Sequence, residues 1–484
     1  MASADPELCY LPATEVLKNF KARTLSPVEY LEELIKRAEE TEPVINAFAF
    51  TWFDEAMDQA RNAEAKYARA NGNIRSLEGL PVAIKDEMDI KGQPMTNGSL
   101  YLKDNISTET HYAIQRLLDA GVIVHARTTT PEFSCSGTAD SKIHGTTHTP
   151  WKPGYTSGGS SGGSGASLAV GSSPLATGSD IGGSIRIPAA CCGVVGFKPP
   201  YGRNPDNTAF AFDMYAVMGP MSRTVSDAAM MQNILCGPHP LDNASIRPKY
   251  FLPKSYDEIK GLKIAWSIDL NFFEVDEHVR TNTMKTLDVL KGLGAELVEV
   301  DFGWSAKADR AAQNYLDHLF NGYIKSFVDT NPDLATPWAT YCANAAGKTS
   351  AVDFMAAYEM QATMSHHVGA IMEDCYAFIC PTLNFHEIPA DQHPDDPVVI
   401  NGKTVDPMYG WCMCHPFNML GRLPVLSVPS GIGGNSLPTS IQIVARHLDD
   451  ERVFRIATAL EAAQPWLDCP DRRPLHRAHG GRIK

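Results

Sequence analysis

Residues 157–184 read Ser157-Gly-Gly-Ser160-Ser-Gly-Gly-Ser-Gly-Ala-Ser-Leu168-Ala-Val-Gly-Ser-Ser-Pro-Leu-Ala-Thr-Gly178-Ser-Asp180-Ile-Gly-Gly-Ser184, and 18 of these 28 residues are glycine or serine, nine of each. Such a composition ordinarily marks a flexible linker. Two features argue against that here. Leu168-Ala-Val is apolar in mid-segment, and the stretch runs directly into Ile185-Arg-Ile-Pro-Ala-Ala-Cys-Cys-Gly-Val-Val-Gly-Phe197, which has to be buried. Glycines packed around serines suit a place where backbone N–H groups approach a ligand in conformations that other residues avoid.

Two serines compete for the chemistry. Gly159-Ser160-Ser161-Gly162-Gly163 satisfies the G-x-S-x-G pattern of a nucleophile elbow, which requires a hydrophobic strand immediately before it. The residues before it, His148-Thr-Pro-Trp-Lys-Pro-Gly-Tyr-Thr156, contain two prolines and cannot be a central strand. Ser184 instead follows Asp180-Ile-Gly-Gly, whose successive amides can form a nest for an oxyanion. A serine needs a base to become nucleophilic, and a buried lysine serves when desolvation favours its neutral amine. Lys85, closing the apolar run Leu80-Pro-Val-Ala-Ile84, is the candidate.

Further out, helical and strand patterns alternate. Apolar Val16, Leu17, Phe20, Leu31, Leu34 and Ile35 recur at helical spacing, and Ser26-Pro27 marks a new helix start. Residues 112–120 read as helix and 122–126 as strand. The alternation predicts an α/β layer architecture, without internal repeats. Across the 484 residues, 42 Lys and Arg against 56 Asp and Glu give a net charge of −14, which argues against nucleic acid as a partner. No apolar run is long enough to span a membrane, so no membrane association is expected. The opening residues Met-Ala-Ser-Ala-Asp-Pro-Glu lack the basic and apolar regions of a secretory signal, and the 11 cysteines then read as reduced thiols of a cytoplasmic protein. Cys412-x-Cys414-His415 and His366-His367 lack the spacing of a closed metal site and read as buried thiols and satisfied histidines, so neither a metal nor an organic cofactor is expected.

The motifs together resemble the amidase signature family. Gly158-Gly-Ser-Ser-Gly-Gly-Ser, Gly178-Ser-Asp-Ile-Gly-Gly-Ser-Ile-Arg-Ile-Pro-Ala and Gly193-Val-Val-Gly-Phe-Lys-Pro match its Gly/Ser block, and Gly79-Leu-Pro-Val-Ala-Ile-Lys-Asp matches its lysine motif. Leu25-Ser-Pro-Val-Glu, Gly219-Pro-Met-Ser-Arg-Thr-Val-Ser-Asp, Cys380-Pro-Thr, Asn418-Met-Leu-Gly-Arg-Leu-Pro and Leu437-Pro-Thr-Ser-Ile-Gln-Ile-Val-Ala-Arg extend the resemblance over nearly the whole chain. It implies one α/β/α domain over residues 1–484, with a central mixed sheet covered by helices and a catalytic core within 75–200. It also implies Ser184 as nucleophile, Ser160, preceded by a cis peptide bond, as relay, and Lys85 as base. The amides of Ile181, Gly182, Gly183 and Ser184 would form the oxyanion hole, with Asp180 and Arg186 as scaffold. Ser134, Cys135 and Ser136 would touch the acyl side of a substrate, and Gly159 would also bind substrate; Cys135 and Ser136 stand where relatives often carry Met and Gly.

Residues 204–218 and 305–410 match the family least and are read as pocket-forming insertions. Their aromatics (Phe210, Phe212, Tyr215, Tyr315, Phe320, Tyr323, Trp338, Tyr341, Phe354 and Tyr358) can either wall a pocket for a bulky aryl or apolar substrate or pack a helical layer on the sheet. The resemblance therefore implies a hydrolase of amides, with carbamate and ester cleavage open to the same triad, and at a finer level the chain is similar to urethanase-type members. The alternative is the glutaminase subunit of a tRNA-dependent amidotransferase; a non-catalytic scaffold fits poorly with Lys85, Ser160 and Ser184 all being present. A homodimer is common in the family.

Overall fold

The alternation read in the sequence appears as one mixed sheet with helices on both of its faces. A computed structural model describes residues 3–69 and 73–474. Eleven strands form the sheet: β1 (Phe48–Thr51), β2 (Pro81–Lys85), β3 (Ile123–Thr128), β6 (Leu175–Asp180), β7 (Val195–Lys198), β8 (Val217–Ser222), β9 (Lys263–Trp266), β10 (Glu296–Glu299), β11 (Ala377–Pro381), β14 (Val425–Ile432) and β15 (Pro438–Val444). Two hairpins lie outside it, β4 (Asp140–Ser141) with β5 (Gly145–Thr146) and β12 (Val398–Ile400) with β13 (Lys403–Val405). The sheet order is β1-β3-β2-β6-β8-β7-β14-β15-β11-β9-β10, and 14 α-helices accompany it among the described residues. β3, β2 and β6 run parallel, β9, β10 and β11 run parallel, and the strands between are antiparallel.

Strand alternation divides the core into layers. Phe378 and Cys380 of β11, with Val425 and Val444, face the helices Ala306–Val328, Pro337–Ala345 and Ala351–Asp374. Ala377 and Ile379, with Leu426, Val428, Ile441 and Ile443, face the helices Val225–Leu235, Glu277–Gly292 and Asp450–Ala463. Burial on both faces is why these strands read as continuous apolar runs. The N-terminal helices Ala13–Ala22 and Pro27–Ile45 build a further cluster over β2 and β6.

Local signals explain the helix boundaries. Ser26 Oγ accepts from Glu29 N at 3.1 Å while Glu29 Oε2 accepts from Ser26 N at 2.9 Å, a capping box followed by proline at the first helical position. The Gly/Ser stretch forms the helix Gly162–Val170, buried along its whole length. Its glycines let it approach the sheet closely: a Cβ at Gly163 would lie 2.3 Å from Ala47 O. The early helices are also held by late residues. Asp227 accepts from Ala13 N and Thr14 N at 2.9 Å each, and Arg473 pairs with Glu7 at 2.6 Å while stacking over Tyr10. No described helix is long and apolar enough to cross a membrane.

β2 and β6 end side by side at Lys85 and Asp180. Open sheets bind ligands beyond the carboxyl ends of parallel strands, and a cavity lies there.

Candidate active site

Lys85 is the last residue of β2 and is fully buried. Its Nζ donates to Ser160 Oγ at 2.6 Å and to Ser179 Oγ at 2.8 Å, and stands 3.1 Å from Glu87 Oε2. Burial pushes the Lys85 ammonium toward neutrality, Glu87 and Asp180 oppose it, and the net pKa is lowered. Glu87 feels the converse: burial raises its carboxyl, but Lys85, Ser134 and Ser179 outweigh it and hold it below the ordinary range. Asp86 turns the other way. It is buried against Thr96, His144 and Arg127 and anchors the turn that leaves the strand.

Ser160 follows a cis Gly159–Ser160 peptide bond. Ser160 and Ser184 line one cavity, and among the described residues no hydrogen bond joins their hydroxyls. The loops carrying them are tied through Ser161 N, which donates to Ser184 O at 3.2 Å.

Beneath Ser184 sits a closed ionic network. Arg186 Nε and Nη2 donate to the two carboxylate oxygens of Asp180 at 2.9 Å each, and the guanidinium also reaches Asn418 Oδ1 at 2.6 Å, Gln442 Oε1 at 2.8 Å and Cys414 O at 3.0 Å. Burial alone would raise the Asp180 carboxyl, but Arg186 and Asn418 keep it ionised. Asp180 in turn accepts from Gly183 N at 2.9 Å and Ile185 N at 3.3 Å, so it shapes the 181–184 turn. The N–H of Gly183 is thereby engaged, while those of Ile181, Gly182 and Ser184 have no hydrogen-bond acceptor among the described residues. Gly183 has φ +127°, and a Cβ there would lie 2.6 Å from Cys414 Cβ, so both backbone and space require glycine.

Two cavities meet at Ser184. The larger, about 290 Å³, is lined by Glu87, Asp89, Ser160 and Ser179, by the apolar Leu102, Phe133, Phe210, Phe320 and Tyr323, and by a His111–Asp206 pair at 3.3 Å. The smaller, about 40 Å³, is lined by Ser134, Cys135, Ser136, Gly137 and Gly159 with Ile187, Leu316, Met408 and Tyr409. Ser134, Ile181, Ser184 and Phe320 belong to both. Ser134, Cys135, Ser136, Gly159, Ser160, Asp180, Ile181, Gly182 and Ser184 line these cavities, Lys85 reaches them through Ser160, and Gly183 and Arg186 are tied to Asp180 behind the lining.

The aromatic residues split between the two readings. Phe210, Phe320 and Tyr323 line the larger cavity; Tyr215 stacks on Tyr315 within the helical layer, where Trp338 is also buried; Phe212 and Tyr358 are exposed on the surface. Cys412 and Cys414 are buried and His415 pairs with Asp309 at 2.6 Å. His366 and His367 lie on the helix Ala351–Asp374, where His366 is exposed and His367 half-buried. Among the described residues no cluster of three or more His, Cys, Asp or Glu could hold a metal. Sequence reasoning missed Glu87, Ser179 and the His111–Asp206 pair. Glu87 sits in the turn after β2, so only its closeness in sequence to Lys85 hinted that the two could meet.

The amidase family model matches residues 29–454. The chain belongs to the amidase signature family. It is 33% identical over 470 residues to an acylamidase of Rhodococcus erythropolis, covering 96% of this chain and 98% of that protein. It is 29% identical over 495 residues to a glutamyl-tRNA(Gln) amidotransferase subunit of Thermoanaerobacter pseudethanolicus, covering 95% and 98%. The crystal structure of a bacterial aryl acylamidase of the same family superposes with a TM-score of 0.87 at 28% identity, covering 94% of this chain and 97% of that one. The chain is an amide-cleaving hydrolase of the amidase signature type.

Proposed function

We propose that this amidase hydrolyses short-acyl amides of aryl or apolar amines, and the corresponding short-alkyl carbamates, through Ser184 as nucleophile, Ser160 as relay and Lys85 as base. The observation that carries this reading is the meeting of two unequal cavities at Ser184. A carbonyl attacked by Ser184 Oγ sends its oxygen toward the free amides of Ile181, Gly182 and Ser184, which stabilise the developing charge. Its two substituents then diverge into the two cavities. The departing nitrogen must receive the relay proton, and Ser160 lines only the larger cavity. The amine therefore occupies the larger cavity, against Phe210, Phe320 and Tyr323, and the acyl or alkoxy group occupies the smaller one. About 40 Å³ accommodates an acetyl methyl or a short alkoxy group and little more.

In the reaction, neutral Lys85 takes a proton from Ser160, which takes one from Ser184 as its Oγ attacks; the proton returns to the leaving amine as the C–N bond breaks. Water repeats the path to free the acid. A carbamate gives an alkoxycarbonyl-enzyme, and its hydrolysis product then loses carbon dioxide.

The test is one aryl amine released from its acetamide, its hexanamide and its methyl carbamate, with the acetate of the corresponding phenol, read as phenol release, as a chemically easier control. We expect the acetamide and methyl carbamate to be turned over and the hexanamide to be slower by tenfold or more in kcat/KM, about 1.4 kcal/mol. Ser184→Ala should abolish turnover while the protein remains folded; persistent turnover would sink the assignment. Inactivity on all four, with glutamine hydrolysed only alongside partner subunits, would put the glutaminase reading in its place.

A further inference from the structure

The Lys85–Ser160 contact has a third member that the triad does not use. Glu87 lies two residues beyond Lys85, with Oε2 at 3.1 Å from Nζ, and it lines the same cavity. Its carboxylate is held on more than one side. Ser134 Oγ donates to Oε2 in a short hydrogen bond, and Ser179, itself bonded to Lys85 Nζ, stands against it. Lys85 thus has three partners fanned around one ammonium: Ser160, Ser179 and a carboxylate. The groups facing this pair can be named from each packed element. Asp180 comes from the end of β6, Ser160 from the loop after the cis bond, Ser134 from the turn after β3, Tyr323 from the helix Ala306–Val328, and Asp89 from the turn after β2. Lys85 is the only cation among these groups, and Glu87 is the carboxylate in contact with it.

We propose that Glu87 is a positioning residue that aims Lys85 Nζ at Ser160 and sets the pH at which Lys85 gives up its proton, and so the lower pH limit of activity. The inference rests on Lys85 acting as base in the proposed function. A lysine ringed only by serine hydroxyls in a buried cavity would be neutral over a wide range and loosely aimed. With a carboxylate at 3.1 Å the ammonium is retained to higher pH, and deprotonation leaves a neutral amine still pointed at Ser160 by the two serines. Glu87 takes no proton from the substrate and forms no bond to it; it acts through Lys85.

The experiment compares wild type, Glu87→Gln, Glu87→Asp, Lys85→Ala and Ser184→Ala. Two pH profiles are recorded between pH 5 and 10: kcat/KM on the acetamide, and the rate at which a fluorophosphonate probe labels Ser184. The second reads activation of the nucleophile without a leaving amine. Removing the negative charge lowers the Lys85 pKa, so the acid limb of Glu87→Gln should move down by about one to three pH units in both profiles. One unit below the wild-type midpoint, wild type then runs at about a tenth of its plateau and Glu87→Gln at half or more. Glu87→Asp keeps the charge and should return the limb toward wild type. A limb that stays within 0.3 unit of wild type in Glu87→Gln, or moves upward, overturns the proposal. So does a plateau that collapses as far as that of Lys85→Ala, which would make Glu87 a base itself. If Ser184→Ala still labels and turns over, the failure is that of the proposed function; if Ser184→Ala is dead and the Glu87→Gln limb unmoved, only the Glu87 inference fails.

Discussion

Replacing Arg186 by methionine should expose how the Ser184 turn is held. Arg186 and Asp180 are completely buried, and the guanidinium makes five hydrogen bonds, two of them to Asp180. Methionine fills similar volume without strain but leaves the Asp180 carboxylate charged and with one amide of Asn418 and two backbone N–H groups for support. Removing one partner of a buried ion pair costs about 3–5 kcal/mol. At about 2.1 cal/mol/K per residue, 484 residues give an unfolding entropy near 1 kcal/mol per degree, so the Tm should fall by about 3–5 °C. The loss should depend on pH. Arg186 holds the Asp180 carboxyl below its ordinary range, so in wild type this pair stabilises above the unfolded pKa and weakens as pH falls. Without Arg186, burial dominates and raises that pKa. The orphaned group then protonates readily, and the Tm difference from wild type should shrink between pH 8 and pH 4.5. Neutralising the partner as well, in Asp180→Asn/Arg186→Met, should recover most of the lost Tm. The assay is thermal unfolding of the three proteins across that pH range. A Tm loss below 1 °C, a pH-independent loss, or strictly additive effects in the double variant would refute the reasoning.

Three further outcomes are expected. Lys85→Ala should lower kcat/KM by about 10³-fold or more, close to Ser184→Ala, because relay members act as a unit; a loss under tenfold would remove Lys85 as base. Leu316→Ala enlarges the smaller cavity beside Ser184, so the ratio of hexanamide to acetamide kcat/KM should rise by about tenfold or more, the scale of one or two accommodated methylenes; an unchanged ratio would place the acyl group elsewhere. Glu461 is half-buried, and its carboxyl is pushed up to about 8, chiefly by desolvation. The folded protein therefore holds this proton more tightly than the unfolded chain, and stability is lost as pH rises from about 4.5 to about 8. Glu461→Gln should remove that slope, so its Tm advantage over wild type should grow across this window and then level off; a constant difference in thermal scans would contradict the assignment.

Much of the fold was legible where a local rule and burial agree. Ser26-Pro27-Val-Glu29 announced its capping box, and the Leu80 to Lys85 run announced a strand buried on both faces. The 157–184 stretch was legible for a different reason: glycine and serine in that density make sense only where backbone must come close to something, and here it comes close both to β3 and to a cavity. The aromatic segments were not separable in the same way. Tyr315 and Phe320 lie five residues apart on one helix, yet one packs on Tyr215 within the layer and the other faces the substrate cavity. Which side a helix presents depends on neighbours distant in sequence, such as Tyr215 for Tyr315 and Phe210 for Phe320. His111 and Asp206 meet for the same long-range reason, with no pattern in either segment to betray them. Glu87 was readable in principle, but an acid beside a lysine looks like any solvated charge pair until the strand is known to end in a cavity.

The contact of Arg473 with Glu7 joins positions 466 residues apart, and Asp227 caps the helix beginning at Ala13. A ribosome adding about 5–20 residues per second needs roughly 20–90 s to travel from one end of that contact to the other. For all that time the apolar faces of the early helices lack their final cover, although residues 85–186, which carry the proposed chemistry, have already emerged. The interval is a window in which a chaperone, or a second nascent copy of the chain, can reach Tyr10 before Arg473 does. Production yield should therefore respond to synthesis rate and to changes near residue 473 more sharply than the distance of that residue from Ser184 would lead one to expect.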